Sequence, residues 1–243
     1  MDLGLEGRVA LVTAASMGLG RATAEALAAE GTRVVICARG AEAVFEAKAA
    51  LLAAGAPGAL GLVEDVTDPA APARLVAATL ERFGRLDVLV GNAGGPPPGR
   101  ALEVSDDQLL AALNANLLTS VRLVREAAPH MRSAGWGRIC LIASYYVRQP
   151  AGHLALSNTA RTGLWAWAKT AAADLAGDGV TLNLALPGPH DTERMRALGG
   201  GDRVAMGNPA DFGKVVAFLC SEPAGYISGA ALQVDNAATT ALS

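Results

Sequence analysis

Short apolar runs rich in β-branched residues alternate with longer alanine-rich stretches along the whole chain of 243 residues. Seven runs are predicted strands, at residues 8–13, 32–38, 59–63, 86–91, 138–143, 180–185 and 231–234. Six stretches have helical patterns, at residues 20–30, 41–54, 69–83, 106–131, 154–176 and 209–220. Most strands are apolar almost throughout, as strands buried on both faces are. The alternation predicts a single α/β domain over residues 1–243, a doubly wound parallel seven-stranded sheet with helices on both faces.

Composition and charge exclude several classes of protein. The chain is 51% hydrophobic and 18% charged, which excludes disorder, and its net charge of −3 gives no general attraction to nucleic acid or to anionic membranes. No signal peptide or apolar stretch of about 18 residues is visible. Three widely spaced cysteines, Cys37, Cys140 and Cys220, form no CxxC motif. We therefore expect a cytoplasmic protein with no metal site, no nucleic-acid partner and no membrane partner.

A glycine-rich turn follows the first predicted strand and opens the first predicted helix. It contains Thr13, Ser16, Gly18, Leu19 and Gly20. Small residues there let the backbone approach a diphosphate, which the free N–H groups and the dipole of a helix N-terminus stabilise. The turn favours dinucleotide binding over the alternative, an ordinary strand–helix connection.

The second predicted strand ends in Cys37, Ala38 and Arg39, with no acidic residue to bind a ribose 2′-hydroxyl. A cation at this point can pair with a 2′-phosphate, so the sequence favours NADP(H) over NAD(H). The alternative is a solvated surface arginine.

Two loops interrupt the regular alternation, a Pro/Gly segment at residues 94–100 and a long polar segment at residues 187–208. Ligands of such sheets bind outside the carboxyl ends of the strands, so both loops are candidate site segments. We expect residues from about 188 to 208 to form a lid. Arg148 and Arg194 can meet an acidic substrate near this cleft, although lone arginines there are usually surface residues.

Over nearly its full length the chain resembles the short-chain dehydrogenase/reductase family. Residues 13–20 are similar to the family's TGxxxGxG, with Ala14 in place of the first glycine, and residues 91–94 keep three letters of NNAG. The resemblance implies a Rossmann-type fold, a homodimer or homotetramer, a small-molecule substrate and a dinucleotide cofactor. The cofactor-binding residues that it implies, with those of the turn and Arg39, are Thr13, Ser16, Gly18, Leu19, Gly20, Arg39, Asp65, Val66, Asn92, Ala93, Gly94, Pro187, Gly188, His190 and Thr192.

The resemblance also implies a catalytic serine, Ser144, and a helix asparagine, Asn116, that holds a proton-relay water. The family has a tyrosine thirteen residues after the serine and a lysine four residues later, but this chain has Ser157 and Arg161 there. A serine hydroxyl is far less acidic than a tyrosine whose pKa of about 10 is lowered by a neighbouring lysine. Arg161 can bind the nicotinamide ribose, but it stays charged and does not relay protons.

Four side chains are candidates to carry the proton in place of the missing tyrosine. Tyr145 and Tyr146 directly follow the serine, His153 precedes Ser157 by four residues, and His190 lies in the lid segment. The alternatives are that the tyrosines only line an apolar pocket and that His190 is exposed to solvent.

The sequence thus predicts an NADP(H)-binding oxidoreductase that reduces a carbonyl or oxidises an alcohol with an atypical proton donor. One alternative is a catalytically silent dinucleotide-binding or partner subunit. Another is non-redox chemistry, as in the related halohydrin dehalogenases, which pair serine and tyrosine with an arginine that Arg161 matches. Those enzymes lose the dinucleotide turn, which this chain keeps.

Overall fold

A computed structural model describes residues 1–197 and 206–241 and shows one seven-stranded parallel sheet. Its strands are β1 (Val9–Val12), β2 (Arg33–Ala38), β3 (Ala59–Val63), β4 (Val88–Gly91), β5 (Gly137–Ile142), β6 (Val180–Pro187) and β7 (Ala231–Val234). They lie in the order β3-β2-β1-β4-β5-β6-β7. The predicted fold class is confirmed, and each predicted strand ends within two residues of the observed one.

Helices cover both faces of the sheet. They are α1 (Gly18–Ala29), α2 (Ala41–Ala53), α3 (Ala71–Phe83), α4 (Asp106–Leu113), α5 (Thr119–Ala134), α6 (Ala155–Leu175), α7 (Glu193–Ala197) and α8 (Pro209–Leu219). The single helix predicted at residues 106–131 is wrong in one respect, because a π-helical segment, Asn114–Leu118, separates α4 from α5. The predicted lid, at residues 188–208, contains α7, and residues 198–205 of the lid lie outside the described residues.

Each strand supplies apolar side chains to two separate cores, because successive residues of a strand point to opposite faces. Leu11 of β1 packs in one core with side chains from α3, α5 and α6. The next residue, Val12, packs in the other core with side chains from α1, α2 and α8. This two-sided burial is the physical reason for the continuous apolar runs in the sequence.

The chain reverses its direction of travel across the sheet at β1. It runs outward from β1 through β2 to β3, then crosses back so that β4 pairs with the other side of β1. The helices that follow β1 and β4 leave the sheet in opposite directions there and open a crevice at the carboxyl ends of the strands. This crevice is where a ligand of the fold is expected.

In the described part of the chain, no helix has the length and apolar character needed to cross a lipid bilayer.

Asn183 on β6 fixes the segment that leads into β7. Its Nδ2 donates to the Ile227 carbonyl at 2.7 Å, and its Oδ1 accepts from the Ala230 N–H at 3.0 Å. The side chain is 1% exposed, so water cannot replace it. On the same strand, the buried hydroxyl of Thr181 has no hydrogen-bond partner among the described residues.

We expect Asn183→Ala to lower the free energy of unfolding by about 2 kcal/mol, because it leaves two partly buried backbone groups unpaired. Thr181→Val keeps the side-chain shape and removes an unpaired hydroxyl, so it is expected to be neutral or slightly stabilising. Urea denaturation of both variants measures the difference, and equal losses of stability would contradict this account of the strand.

Candidate active site

A cavity of about 810 Å³ opens at the carboxyl ends of the strands, within the range of volumes of small-molecule and cofactor sites. The turn between β1 and α1, the ends of β2 to β6, the start of α6 and the lid form its walls. The predicted site residues that line it are Ser16, Gly18, Leu19, Arg39, Asp65, Val66, Asn92, Ala93, Gly94, Asn116, Ser144, Tyr145, Tyr146, Ser157, Arg161, Pro187, Gly188, His190 and Thr192. Three predicted site residues, Thr13, Gly20 and His153, do not line it.

The glycine-rich turn directs the N-terminus of α1 toward the cavity. Gly18, the first residue of α1, has a φ of +58°, and Met17 before it provides no side-chain cap. The first N–H groups of the helix therefore lack an intrahelical or capping partner and can bind an anion. Thr192 of the lid faces this turn, since a methyl group on Gly18 would lie 3.8 Å from its Cγ2.

Thr13 and Gly20 act from behind the cavity wall. The Thr13 hydroxyl donates to the Asn92 carbonyl at 2.7 Å and accepts from the Asn92 N–H at 2.9 Å. Asn92 Nδ2 then donates to the Ala14 carbonyl at 3.1 Å. A Cβ on Gly20 would lie 2.5 Å from that carbonyl oxygen and 2.7 Å from Asn92 Nδ2. Position 20 therefore needs glycine, so that α1 can pack against the joined ends of β1 and β4.

At the other side of the turn, Arg39 and Asp65 follow β2 and β3. Asp65 Oδ1 accepts from the N–H and the hydroxyl of Thr67, at 2.9 and 2.8 Å. Those hydrogen bonds, and to a smaller extent the charge of Arg39, lower the pKa of Asp65. Arg39 is exposed and forms no hydrogen bond or ion pair with another described residue, so its guanidinium group can bind a phosphate.

Asn116 lies in the π-helical segment and projects into the cavity wall. Its side-chain amide is buried, with the residue 3% exposed, and neither Oδ1 nor Nδ2 has a hydrogen-bond partner in the part of the chain that the structure describes. Buried amides are nearly always paired. Single π-helical turns inside α-helices occur frequently at functional sites. Asn116 is therefore suited to hold a water molecule or a ligand.

Ser157 and Arg161 lie one turn apart on α6, and both are buried, at 9% and 8% exposure. Arg161 Nη1 donates to the carbonyls of Ile142 and Ala143, at 3.1 and 2.8 Å, directly before Ser144. Burial, and secondly the charge of Arg194, lowers the pKa of Arg161 to about 10, so the group stays charged at neutral pH.

The four candidate proton donors differ in burial and in their position relative to the cavity. Tyr146 is half-buried in the cavity wall, and its N–H donates to Ser144 Oγ at 3.3 Å. Tyr145 is 8% exposed, its ring lies 4.0 Å from that of Tyr146, and burial followed by contact with Tyr146 raises its pKa. His190 is buried rather than solvent-exposed, with Nδ1 3.0 Å from the Gly188 carbonyl. His153 is exposed and lies outside the cavity lining.

The lid contains a contact that sequence reasoning missed. Arg194 of α7 reaches across the cavity, and its Nη2 donates to the Pro96 carbonyl at 2.7 Å. It therefore lines the cavity, while part of the side chain stays exposed to solvent. Arg148 does not line the cavity, and its Nη2 donates to the Ala231 carbonyl at 3.2 Å. No sequence signal connects position 194 with position 96.

Comparison with known proteins gives consistent matches over the whole chain. A family model described as enoyl-(acyl carrier protein) reductase matches residues 13–239. The 3-oxoacyl-(acyl-carrier-protein) reductase FabG of Escherichia coli is 34% identical over 245 residues, which cover 96% of this chain and 98% of that protein. L-sorbose reductase from Gluconobacter frateurii, solved with NADPH and L-sorbose, superposes with a TM-score of 0.93 at 28% identity, with full coverage of both chains. A variant of actinorhodin polyketide ketoreductase, solved with NADPH, has a TM-score of 0.87 at 32% identity and covers 94% and 95% of the two chains.

Ala14 occupies a backbone conformation that favours glycine, with a φ of +47°. A left-handed conformation costs an alanine about 1–2 kcal/mol, and part of this is offset because glycine loses more backbone entropy on folding. We therefore expect Ala14→Gly to raise the free energy of unfolding by about 0.5–1 kcal/mol. At the end of the same turn, Gly20→Ala is expected to lower the free energy of unfolding by about 2 kcal/mol. The added methyl group would clash with the Ala14 carbonyl and Asn92 Nδ2 and push them away from α1. Thermal unfolding of the two variants tests both signs.

Proposed function

Since the chain belongs to the short-chain dehydrogenase/reductase family, we propose that it is an NADP(H)-dependent oxidoreductase that reduces a carbonyl group or oxidises an alcohol. We further propose that the proton is carried by Tyr146, because position 157 holds a serine. The homodimeric or homotetrameric assembly that the family resemblance implies stays a prediction.

One observation carries the proposal: a single cavity connects an anion-binding turn at one end with Ser144 and Asn116 at the other. The residues present fit a dinucleotide. The N-terminus of α1 is uncapped toward the cavity, and Gly94 has nothing within 4 Å of where its Cβ would be. The backbone at position 94 can therefore be approached closely by a ligand lying along the carboxyl ends of the strands.

Arg39 supports the phosphorylated cofactor over NAD(H). It lines the cavity beside Asp65 at the end of β2, where an acidic residue would be needed to bind a free 2′-hydroxyl. The sorbose reductase and polyketide ketoreductase structures contain NADPH, which agrees with this choice.

A bound nicotinamide would supply the hydride for carbonyl reduction, and the chain would supply orientation, charge and a proton. Ser144 can donate a hydrogen bond to the oxygen of the reacting carbonyl, and Asn116 can hold a water molecule behind it. Arg161 fixes the backbone before Ser144 and provides positive charge at that end of the cavity. Its guanidinium does not release a proton at neutral pH, so it contributes to binding and not to proton transfer.

Tyr146 is the best placed proton donor of the four candidates. His153 lies outside the cavity lining, and His190 is held against Gly188 by its Nδ1 contact. Tyr145 is more deeply buried, and this burial raises its pKa, which disfavours it as a proton donor. Tyr146 lines the cavity and is half-buried, and its backbone N–H donates to Ser144 Oγ, which fixes the backbone of Tyr146 next to the serine.

Cofactor choice is tested by titrating the protein with NADPH and NADH while following reduced-nicotinamide fluorescence and the thermal midpoint. A ligand that binds only the folded state raises the midpoint with concentration. We expect NADPH to bind more tightly than NADH, and Arg39→Ala to weaken NADPH binding about tenfold with little effect on NADH. Arg21→Ala is the matched control, since Arg21 pairs with Glu25 and does not line the cavity. Equal affinity for both cofactors would contradict the role of Arg39.

The proton donor is tested by NADPH oxidation across a carbonyl panel. Tyr146→Phe and Ser144→Ala are each expected to lower kcat at least 100-fold, the usual contribution of a positioned acid. Ser157→Ala is expected to change kcat little. The matched control is Tyr226→Phe, which removes the same hydroxyl from a fully exposed side chain outside the cavity.

Two outcomes would contradict the proposal. If Ser157→Ala and Tyr146→Phe lower kcat equally, Tyr146 does not replace the residue at position 157 as the proton donor. Tight binding of NADPH with no oxidation across the panel would favour the silent dinucleotide-binding subunit.

A further inference from the structure

We propose that the end of the cavity near Ser144 is an anion site formed by Arg161 and Arg194, and that the substrate is a carbonyl compound bearing a carboxylate. This inference rests on the proposed function, because it names the class of substrate that the same cavity takes.

The first argument is uncompensated positive charge. Both guanidinium groups line the cavity, and they are close enough for the charge of Arg194 to lower the pKa of Arg161. Both donate hydrogen bonds only to backbone carbonyls, those of Ile142, Ala143 and Pro96. In the described ranges, no carboxylate lies within 4.0 Å of either group. Arg161 is 8% exposed, and a buried cation without an anionic partner is unfavourable. An anionic ligand that contacts Arg161 and the more exposed Arg194 would therefore stabilise this end of the cavity.

The acidic residues of the cavity wall do not meet this need. Glu64 pairs with Arg74, and Asp65 accepts from Thr67, both at the end of the cavity near Arg39. Glu193 is the neighbour of Arg194 on the lid, but its side chain is exposed and forms no ion pair with either cavity arginine.

The second argument is that the chain leaves room for the guanidinium group of Arg194. Gly95 has no side chain, and a Cβ at that position would lie 2.6–2.7 Å from Nη2, Cζ and Nε of Arg194. The backbone of Gly95 does not require glycine, since its φ lies outside the left-handed region. The glycine therefore leaves space for the guanidinium to lie this close over the cavity, whereas a methyl group there would displace the end of the flexible Arg194 side chain.

A phosphate of the cofactor is the other anion that these arginines can bind. The cavity already has a separate phosphate-binding element in the turn at Gly18, and a further cation for a 2′-phosphate at Arg39. By contrast, Arg161 is tied to the carbonyl that precedes Ser144, beside the reacting group of the substrate. The charge at this end is therefore assigned to the substrate.

The experiment measures binding separately from turnover. The thermal midpoint of the protein is followed, with and without saturating NADPH, against acetoacetate and methyl acetoacetate and against benzoylformate and its methyl ester, at constant ionic strength. NADPH affinity is measured in parallel by fluorescence. Arg194→Gln removes the charge, Arg194→Lys keeps it, and Gly95→Ala displaces the guanidinium. Arg196→Gln is the matched control, because Arg196 lies on the same helix, pairs with Asp191 and does not line the cavity.

We expect the wild-type protein to bind each carboxylate at least tenfold more tightly than its ester. This preference should fall to less than threefold in Arg194→Gln and Gly95→Ala, survive in part in Arg194→Lys and stay unchanged in Arg196→Gln, with NADPH affinity the same throughout. Equal binding of acids and esters by the wild-type protein would overturn the inference while leaving NADPH binding, and with it the proposed function, intact. A loss of NADPH affinity in Arg194→Gln without a change in the acid preference would also overturn it, and would assign the charge to the cofactor. If NADPH does not bind, the proposed function fails, and the acid preference without NADPH still decides whether the anion site exists.

Discussion

The reciprocal hydrogen bonds between Thr13 and Asn92 hold together the two strand ends on which the whole site depends. They join β1 to β4 at the point where the chain changes direction across the sheet. Asn92 also holds the Ala14 carbonyl, and Gly20 lets α1 pack directly on that junction. The anion-binding end of α1 is therefore fixed relative to the ends of β4 and β5. A cavity that must align a dinucleotide with a reacting group needs this rigidity, because small displacements cost much of the rate.

The sequence predicts the sheet well because the five inner strands are almost fully buried, so the apolar run of each begins and ends close to the strand itself. The helix at residues 106–131 could not be predicted with the same accuracy. Its π-helical segment depends on contacts distant in sequence: the Thr119 hydroxyl donates to the Val66 carbonyl, and Asn114 Nδ2 donates to the Thr67 carbonyl. One extra residue in a helical turn hardly disturbs the apolar period, yet it directs Asn116 into the cavity.

The residues of the candidate site also differ in how well the sequence predicts them. Residues that belong to compact motifs lie in the cavity wall or directly behind it, because a motif carries its own local geometry. His153 was a candidate on helical spacing from Ser157, but α6 begins only at Ala155. The His153 carbonyl accepts from the Gly99 N–H at 2.8 Å, so the position of His153 is fixed by the loop at residues 94–100 and not by the helix. The contact between Arg194 and Gly95 joins positions 99 residues apart and has no local signature.

The charge of the cavity shows why net charge is a poor guide to what a chain binds. The protein carries −3 overall, yet Arg161 and Arg194 give one end of the cavity a positive charge, while Glu64 and Asp65 lie with Arg39 at the other end. If Arg161 stands at the position of the family's lysine, as the sequence resemblance implies, it retains the positive charge but does not exchange a proton. The adjacent Ser157 likewise keeps a hydroxyl that is too weakly acidic to replace a tyrosine. In the proposed mechanism, helix α6 therefore provides charge and position, and the proton comes from Tyr146, which follows Ser144 at the end of β5.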